Sequence, residues 1–511
     1  MHREAVVEEN EDNMAGIVVR KKRVAFWLAS IASGVFFAVV VALMCRHGAE
    51  VPFVDSLNYF RFSETGDWRD LPVIHGIGYA LYLSVFAKFA PSLQMATAAA
   101  NICSGFLFAS VLCFWMVWRF GWKGLLVAWT VLGNFAVLED YGAALSEGFF
   151  LVWLIGAFAG IMVHGKTGKR RWLAISVVSM AIACVTRYAG LAFAGIACLV
   201  LWLGADRRAK GFLTACAYGL ASVAPLVAIM VLNHLLRGSA TAHSAGFHPV
   251  GLNEWGDACA TISSWLVPDR VWLAVPFGAA AIGLAVLAFC LVWGVRGAVK
   301  RDGESMAWAF AVLGHVAFLA LSYTFVDCDL AFNRRLLSPM IPFLFWGLGC
   351  FLERVPRIGR TAFVALFAYL VCFNAYRAVP LVRGRFENGA GWWGNQWNRS
   401  PVVGTIGDIS RKMPVYSNAS SPLKFRRCDN IRDIPWVELP TSGSANDGFM
   451  EDYAACISEL ENGRAVLAKV DFSIWFKRMA QMERIVSDAK LEKLVDCEDG
   501  TIWGKPDALK E

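Results

Sequence analysis

Long apolar runs, each about the length of a membrane-crossing helix, recur throughout this chain. A helix of about 20 residues crosses the roughly 30 Å hydrocarbon layer of a bilayer. Lipid admits only helices or closed barrels as crossing structures. Because these runs are continuously apolar rather than alternating between apolar and polar residues, they predict an all-α polytopic membrane bundle.

Charge is distributed unevenly among the loops between these runs. Lysine and arginine fall in every second loop, at positions 20–23, 119–123, 166–171, 207–210, 296–301 and 354–360. Short basic loops stay in the cytoplasm, so this set predicts the orientation of the chain. The other loops hold the unusual polar groups, namely Asp55, Asp67, Asp70, His75, Glu139, Asp140, Glu147, Arg187, Asp327, Asp329, Arg334 and Arg335. We therefore expect the chemistry or the binding to occur at the outer membrane face.

The composition agrees with a membrane protein and argues against a nucleic-acid-binding one. Charged residues make up only 17% of the 511 residues, whereas soluble proteins average about 25%. The net charge of +7 is spread over the short basic loops, without a basic stripe interleaved with aromatic residues. We expect membrane lipids, and no nucleic acid, as partners.

About eleven spans are predicted, at roughly 24–44, 95–118, 124–138, 145–163, 172–186, 189–203, 211–233, 271–295, 306–325, 336–353 and 361–379. The first is too long for the core of a cleaved signal peptide and is interpreted as a retained span after a cytoplasmic tail, residues 1–23. The short runs near 124 and 172 suggest helices that end early at a cavity. An odd number of spans places the C-terminus outside.

Three domains follow from these assignments: the tail, a transmembrane domain over 24–379 and an extracytoplasmic α/β domain over 380–511. The long first outer loop, 45–93, is predicted to contain amphipathic helices along the leaflet surface. In the C-terminal domain, strands are expected at 415–417, 465–470, 493–497 and 501–503, with helices at 449–461 and 472–488. One pair among Cys428, Cys456 and Cys497 is a candidate disulfide.

Two carboxylates stand out as candidate catalytic groups. Asp55 follows the first span, where partial burial would make its carboxylate a better proton acceptor, although a solvated helix cap is an equal alternative. Glu147 lies just inside a span, where an ionisable side chain is expensive and indicates a functional site or a paired charge. Asp140, at the rim, is a candidate substrate contact, as are His75 and Tyr59.

Three arginines are candidate phosphate ligands. Arg187 interrupts an apolar run and needs an anionic partner, either Glu147 or a phosphate, and a guanidinium group binds phosphate oxygens through several donors. Arg334 and Arg335 lie on the outer side, against the usual bias. Asp327 and Asp329 are one source of compensation, and a lipid-borne phosphate is the other. Pro339 and Pro342 are expected to interrupt the following helix.

Other clusters favour structural roles. His234, His243 and His248 in the fourth outer loop, 233–270, lack tight metal spacing, and this loop is a candidate lid. The tryptophans of 391–397 are interpreted as a membrane-surface anchor, with sugar stacking as the alternative. No phosphate-binding glycine motif occurs.

Together these features resemble the polytopic GT-C glycosyltransferases, in particular the bacterial branch related to aminoarabinose transferases and protein O-mannosyltransferases. The resemblance is carried by Asp55, by the stretch from Tyr141 to Glu147, by Thr186 to Leu191, by Arg334-Arg335-Leu336 with Pro339 and Pro342, and by 414–419 in the C-terminal domain.

The resemblance implies transfer of a sugar from a polyprenyl-phosphate donor to a hydroxyl of a glycan, lipid or protein acceptor, with inversion at the anomeric carbon. It implies a bacterial inner membrane, with the C-terminal domain periplasmic or extracellular. Asp55 matches the family's candidate general base, and Arg187, Arg334 and Arg335 would hold the departing phosphate. Several relatives carry two consecutive acidic residues tied to metal use, whereas Ser56 follows Asp55 here. No cofactor is firmly expected, and a divalent cation stays open.

Two other functions compete with this interpretation. A lipid-linked sugar transporter or flippase would show related halves and charges near the bilayer midplane. A non-catalytic envelope scaffold would leave the costly Glu147 and Arg187 unexplained.

Overall fold

A computed structural model of the chain describes residues 24–52, 54–68, 76–241, 246–275, 277–327, 330–355, 359–426, 428–438, 445–473 and 479–508. The membrane part consists of helices α1 Val24–Met44, α2 Val54–Thr65, α3 Gly78–Ala87, α4 Leu93–Phe120, α5 Gly124–Leu132, α6 Phe135–Gly142, α7 Ser146–Thr167, α8 Arg170–Thr186, α9 Gly190–Leu203, α10 Arg208–Arg237, α11 Leu252–Ser264, α12 Asp269–Leu273, α13 Gly278–Lys300, α14 Gly303–Phe325, α15 Arg334–Leu337, α16 Ile341–Glu353 and α17 Gly359–Asn388.

Eight stretches in the described residues are long and apolar enough to cross a membrane. One of them, Leu93–Leu132, contains both α4 and α5, which a turn at Gly121 (φ 62°) separates. α5 folds back on α4, since a Cβ at Gly124 would lie 2.1 Å from the Met116 carbonyl oxygen. The helical membrane bundle is therefore confirmed, while the number of eleven crossings stays a prediction.

The basic loops meet at one end of the bundle. Arg119, after α4, contacts Glu304 at the start of α14 and Glu353 at the end of α16. Arg301 donates to the backbone carbonyl of Asp206 across two further loops. The alternation of charge along the sequence thus corresponds to two ends of one bundle.

The loop over residues 45–93, predicted to be the first outer loop, packs on the rest of the protein. Tyr59, Phe60 and Phe62 of α2 and Tyr79 of α3 are buried. Tyr59 and Tyr79 are in edge contact at 5.1 Å between ring centres. Helices form in this loop as expected, and their aromatic side chains pack against neighbouring aromatic side chains. Their location along the leaflet surface stays a prediction.

A short backbone ladder joins three distant parts of the chain. Glu50 donates its N–H to the Gly142 carbonyl at 2.7 Å and accepts from the Ala144 N–H at 2.7 Å. Val51 pairs with Gly391, which has φ 58° and whose Cβ would lie 2.6 Å from the Val51 carbonyl oxygen. The first outer loop, the loop before α7 and the start of the C-terminal domain are therefore held in one register.

The C-terminal part is a small α/β domain, as expected. It contains helices α18 Asn395–Asn398, α19 Pro401–Ser410, α20 Ser420–Phe425, α21 Phe449–Glu461 and α22 Met482–Asp488, and strands β1 Val415–Ser417, β2 Ile431–Asp433, β3 Val466–Val470, β4 Glu492–Cys497 and β5 Gly500–Gly504. The sheet order is β2-β1-β3-β5-β4, with β2, β1 and β3 parallel and the last two strands antiparallel to their neighbours.

Several predictions for this domain need correction. β2 was not predicted, because two of its three residues, Arg432 and Asp433, are charged and do not form an apolar strand pattern. Within the helix expected over 472–488, Phe472, Ser473 and Met479 are not helical, residues 474–478 lie outside the described residues, and α22 covers Met482–Asp488. Met479 pairs with Trp436. Cys428, Cys456 and Cys497 are all free thiols. Cys456 lies in α21 and is fully buried in an apolar cluster, where it acts as a small hydrophobic side chain.

The tryptophans near 391–397 are buried packing residues, so their interpretation as a membrane-surface anchor is wrong. Trp392 and Trp397 are only 8% and 7% exposed. Trp393 stacks on Phe60 of α2 at 5.8 Å, and Phe425 of α20 packs against Trp393 at 5.4 Å. These contacts dock the C-terminal domain on the first outer loop.

Candidate functional site

Four charged side chains from four helix ends converge at the end of the bundle opposite the basic loops. Asp55 lies in the first turn of α2 and Glu147 in the first turn of α7. Arg187 follows the last residue of α8 in an extended conformation (φ −149°). Arg335 lies in the short helix α15. Helix ends bring these residues together although up to 280 positions separate them.

Arg335 bridges the two carboxylates. Its Nη2 lies 2.6 Å from Asp55 Oδ2, and its Nε contacts Glu147 Oε1. Arg187 Nη1 lies 2.5 Å from the same Glu147 oxygen. Glu147 is only 1% exposed, whereas both arginines and Asp55 retain 18–25% of their side-chain exposure. A buried carboxylate is tolerated because two guanidinium groups compensate it.

The second oxygen of Glu147 has no hydrogen-bond partner among the residues that the structure describes. Ionic compensation therefore falls on one oxygen only. Removing either arginine would leave the Glu147 charge undercompensated in an environment of low dielectric.

A layer of hydroxyl groups supports the arginines from behind. The Ser146 hydroxyl receives hydrogen bonds from Arg187 Nη1 and from the Tyr59 hydroxyl, each at 3.2 Å. Burial, reinforced by the nearby Asp55, raises the pKa of the Tyr59 phenol, which keeps it a donor. Tyr59 is 3% exposed, and its predicted contact with substrate stays a prediction.

The helix that carries Arg335 is interrupted as its prolines predicted. A 3-10 turn at Ser338–Met340 separates α15 from α16. The Leu336 carbonyl, next to Arg335, accepts a hydrogen bond from His315 Nε2 at 2.7 Å. His315 of α14 therefore satisfies a backbone group beside the helix break and helps to hold Arg335 in place.

A cavity of about 520 Å³ opens next to this cluster. Its lining includes Glu50, Glu139, Asp140, Asp257, Thr261, Asn333, Arg334, Arg335 and Arg385. Asp257 and Thr261 belong to α11, so the fourth outer loop forms one wall. Charges of both signs face the cavity, which suits a polar ligand rather than a purely apolar one.

Two predicted residues line this cavity outside the ion-pair cluster. The Arg334 guanidinium lies 5.1 Å from the centre of the Phe135 ring, and within the described ranges it forms no ion pair. Asp140 is 2% exposed, and its Oδ2 has no hydrogen-bond partner in the described part of the chain. Burial, and then the charge of Glu147, raises the pKa of the Asp140 carboxyl.

Not every candidate residue can be placed. His75, Asp329 and His243 lie outside the described residues. His248 binds the Thr324 carbonyl through its backbone N–H at 2.8 Å. Across the described ranges, no group of three histidine, cysteine or acidic side chains is arranged to hold a metal ion.

One further ion pair at the site was not predicted from the sequence. Arg385 contacts Glu50, and its guanidinium passes beside Gly142, where a Cβ would lie 1.7 Å from Nη1. Residues beyond 380 were assigned to the soluble domain, whereas α17 continues to Asn388 and carries Arg385 back to the cavity. The available signal was the group of arginines, Arg377, Arg383 and Arg385, that follows the apolar part of this helix.

Similarity to known proteins lies in the fold rather than in the sequence. No family model matches the chain, and no curated protein matches it. The structure is similar to that of ArnT from Cupriavidus metallidurans in the apo state, with a TM-score of 0.56 and 13% identity over 95% of this chain and 98% of that one. It is also similar to the same protein bound to undecaprenyl phosphate, with a TM-score of 0.54 and 13% identity over 93% and 97% of the two chains. The chain thus has the GT-C fold of ArnT over nearly its whole length, as the resemblance implied.

Proposed function

We propose that this protein is a membrane glycosyltransferase that moves a sugar from a polyprenyl-phosphate donor to a hydroxyl of a cell-envelope acceptor, with inversion. The fold supports a transferase of this kind, and ArnT has been solved with undecaprenyl phosphate. The charge bias of the loops supports a bacterial inner membrane location with the site on the outer side.

The observation that carries the proposal is the bridge from Arg335 to both Asp55 and Glu147, with Arg187 sharing Glu147. Guanidinium groups at a membrane boundary are suited to a lipid-borne phosphate, since each offers several donors in a planar fork. Glu147, which pairs with both arginines, holds them in place before the donor arrives.

In the reaction, the acceptor oxygen attacks the anomeric carbon, and the bond from that carbon to the phosphate oxygen breaks. The electron pair leaves with the polyprenyl phosphate, whose charge Arg335 and Arg187 stabilise. The proton of the acceptor hydroxyl passes to Asp55. This carboxylate is 25% exposed, which leaves it accessible beside the arginine.

The adjoining cavity is proposed to hold the sugar and the acceptor hydroxyl. Asp140, a lining residue whose pKa is raised by burial and by Glu147, would contact the sugar there. Arg334, on the same wall, adds a positive charge for the phosphate. The charged residues in the lining favour a site for a sugar over a channel for apolar lipid.

The test is transfer by purified protein from a panel of labelled polyprenyl-phosphate sugars to envelope acceptors, read by mass spectrometry. Asp55→Asn should reduce turnover by about 10²- to 10⁴-fold, the usual contribution of a general base. Donor binding should persist, because both arginines remain. Asp67→Asn, a carboxylate change in the same outer loop, is the matched control and should transfer normally.

Two results would contradict the proposal. Normal turnover by Asp55→Asn would remove this residue from the mechanism. Movement of labelled lipid-linked sugar across a vesicle membrane, without any covalent product from wild-type protein, would establish the transporter alternative.

A further inference from the structure

A second cavity, of about 730 Å³, lies at the other end of the bundle. Residues from the ends of α4, α7, α9, α10 and α14 line it. The 22 residues of α7 run from Ser146 beside the charged cluster to Thr167 near this cavity, a distance of about 30 Å at 1.5 Å per residue. Nothing in the proposed transfer reaction uses this region.

The cavity carries an excess of positive charge. Two of its acidic residues are already paired, Glu304 with Arg119 and Asp302 with Arg354. Four other cations line it, namely Lys166, Arg207, Lys210 and Arg301, together with the carboxylate of Asp206. In the ranges that the structure covers, none of these four cations forms an ion pair. A lining of this kind favours an anionic ligand.

The deeper wall is apolar. Trp118, Met162 and Leu201 line the cavity below the charged residues, and the Lys166 ammonium lies 4.8 Å from the centre of the Trp118 ring. Phe212 and Leu213, in the first turns of α10 that border the cavity, are 49% and 68% exposed. A ligand that fits therefore has a negative head at the membrane surface and an apolar body beside it.

We propose that this cavity binds the headgroup of an anionic phospholipid from the leaflet on that face. Basic pockets between helix ends on the cytoplasmic side are suited to such headgroups, and the cytoplasmic leaflet is negatively charged. The phosphodiester would lie among Arg207, Lys210 and Arg301, with an acyl chain against the apolar wall. By touching the ends of several helices, the lipid would hold the bundle together at the face opposite the candidate site.

The test is lipid binding by the full chain, measured by native mass spectrometry in mixed micelles of phosphatidylglycerol and phosphatidylcholine. Wild-type protein should retain phosphatidylglycerol selectively. The double change Arg207→Gln and Lys210→Gln should weaken this binding by about 30-fold, at about 1 kcal/mol for each basic residue. Both side chains are exposed, so folding should be unaffected, which gel filtration checks.

The matched control is Arg296→Gln with Lys300→Gln, which removes the same charge from the neighbouring cavity on the same face. Its retention of phosphatidylglycerol should equal that of wild type. Equal loss in both double variants, equal retention of phosphatidylcholine, or unchanged binding by the first variant would overturn the proposal. Displacement by glycerol 3-phosphate at the concentration of the lipid would assign the cavity to a soluble phosphoester. None of these measurements depends on sugar transfer.

Discussion

Two networks of buried charge, one at each end of the bundle, differ in how completely their members are paired. At the end with the basic loops, Arg119 contacts both oxygens of Glu304 and one oxygen of Glu353. At the opposite end, Asp55, Glu147, Arg187 and Arg335 form what we call the outer network. One oxygen of Glu147 contacts both arginines, and its other oxygen has no hydrogen-bond partner in the described residues.

We call the network around Arg119, Glu304 and Glu353 the closed network. It extends to Asp302, which also caps a helix. Asp302 caps α14 through the N–H groups of Glu304 and Ser305, each at 3.2 Å, and its other oxygen pairs with Arg354 at 2.6 Å. Every contact of Asp302 joins one helix to another or ends a helix. Such a network is explained by packing alone.

The outer network leaves one oxygen of the buried Glu147 without a hydrogen-bond partner in the described residues, and it adjoins a polar cavity. Arginine donors that are held in place but partly exposed can exchange a carboxylate for a phosphate. The comparison teaches that burial and ion pairing do not by themselves identify a functional site. Incomplete pairing beside a cavity is the more informative property.

The largest difference between the two networks is expected when one carboxylate in each is neutralised. Glu147→Gln should lower kcat/KM by about 100-fold or more and cost about 3–5 kcal/mol of stability, because it leaves two arginines without their buried counter-charge. Glu304→Gln should lower the melting temperature while transfer stays at the wild-type level. Equal loss of transfer in both variants would show that the two networks do the same work.

Removal of an arginine separates donor binding from packing. Arg335→Ala should raise the donor KM by about 10- to 100-fold, since charged hydrogen bonds contribute about 1.5–3 kcal/mol. Arg334→Ala should raise the donor KM less, because Arg334 packs over the Phe135 ring outside the ion-pair cluster. Arg354→Ala in the closed network is the control and should leave the KM unchanged. An unchanged KM for both outer variants would make them a structural pair.

A smaller effect is expected from the backbone that supports the outer network. Gly142→Ala places a methyl group where Arg385 now passes and should cost about 1–3 kcal/mol, measured as a lower melting temperature. Gly195→Ala in α9, where no atom lies within 4 Å of the added Cβ, is the control and should be neutral or slightly stabilising. A Gly142→Ala protein as stable as wild type would mean that the contact between Arg385 and Glu50 is dispensable.

The smallest expected effect is on the pH dependence of stability, to which Asp302 and Asp140 should contribute with opposite signs. The pKa of Asp302 is lowered from 3.8, despite burial, by hydrogen bonds from Ser305 and by Arg354. Its stabilisation is therefore present above pH 3.8 and is lost as the pH falls through the lower folded value. The pKa of Asp140 is raised above 3.8 by burial and by Glu147. Its contribution is fully present below 3.8 and is lost as the pH rises through the raised value.

Thermal unfolding over a pH series checks this difference. Asp302→Asn should lower the melting temperature at neutral pH and matter less in acid. Asp140→Asn should be close to neutral in acid and should stabilise the protein as the pH rises. A shift in the same direction for both variants at neutral pH would contradict the assignment of opposite environments.

Individual residues show where prediction from sequence succeeded. Glu147 and Arg187 were recognisable because an ionisable side chain within an apolar run requires compensation. Pro339 was recognisable because it cannot donate a backbone hydrogen bond. These inferences need only the residue and its neighbours in the chain.

Other features were not predicted from sequence, because they depend on residues that are distant along the chain. The pairing of Glu50 with Arg385 joins residues 335 positions apart, and the docking of Trp393 on Phe60 joins two domains. The run 124–138 was predicted as one helix, but Asn134 caps a second helix, α6, which carries Asp140 to the cavity. The local sequence pattern does not predict these contacts, because each residue could pair with several distant residues.

The apolar runs and the loop charges were enough to predict a membrane protein, to divide its loops into two groups and to identify the charged residues that need compensation. The free energy of transfer into lipid depends on each residue separately, so the length of an apolar run and the charge of a loop suffice for these conclusions. The contacts of Arg335 with Asp55 and Glu147, and the cavity beside them, could be found only in the folded structure. An ion pair depends on separations of a few ångströms between helix ends, and packing, not sequence spacing, sets those separations.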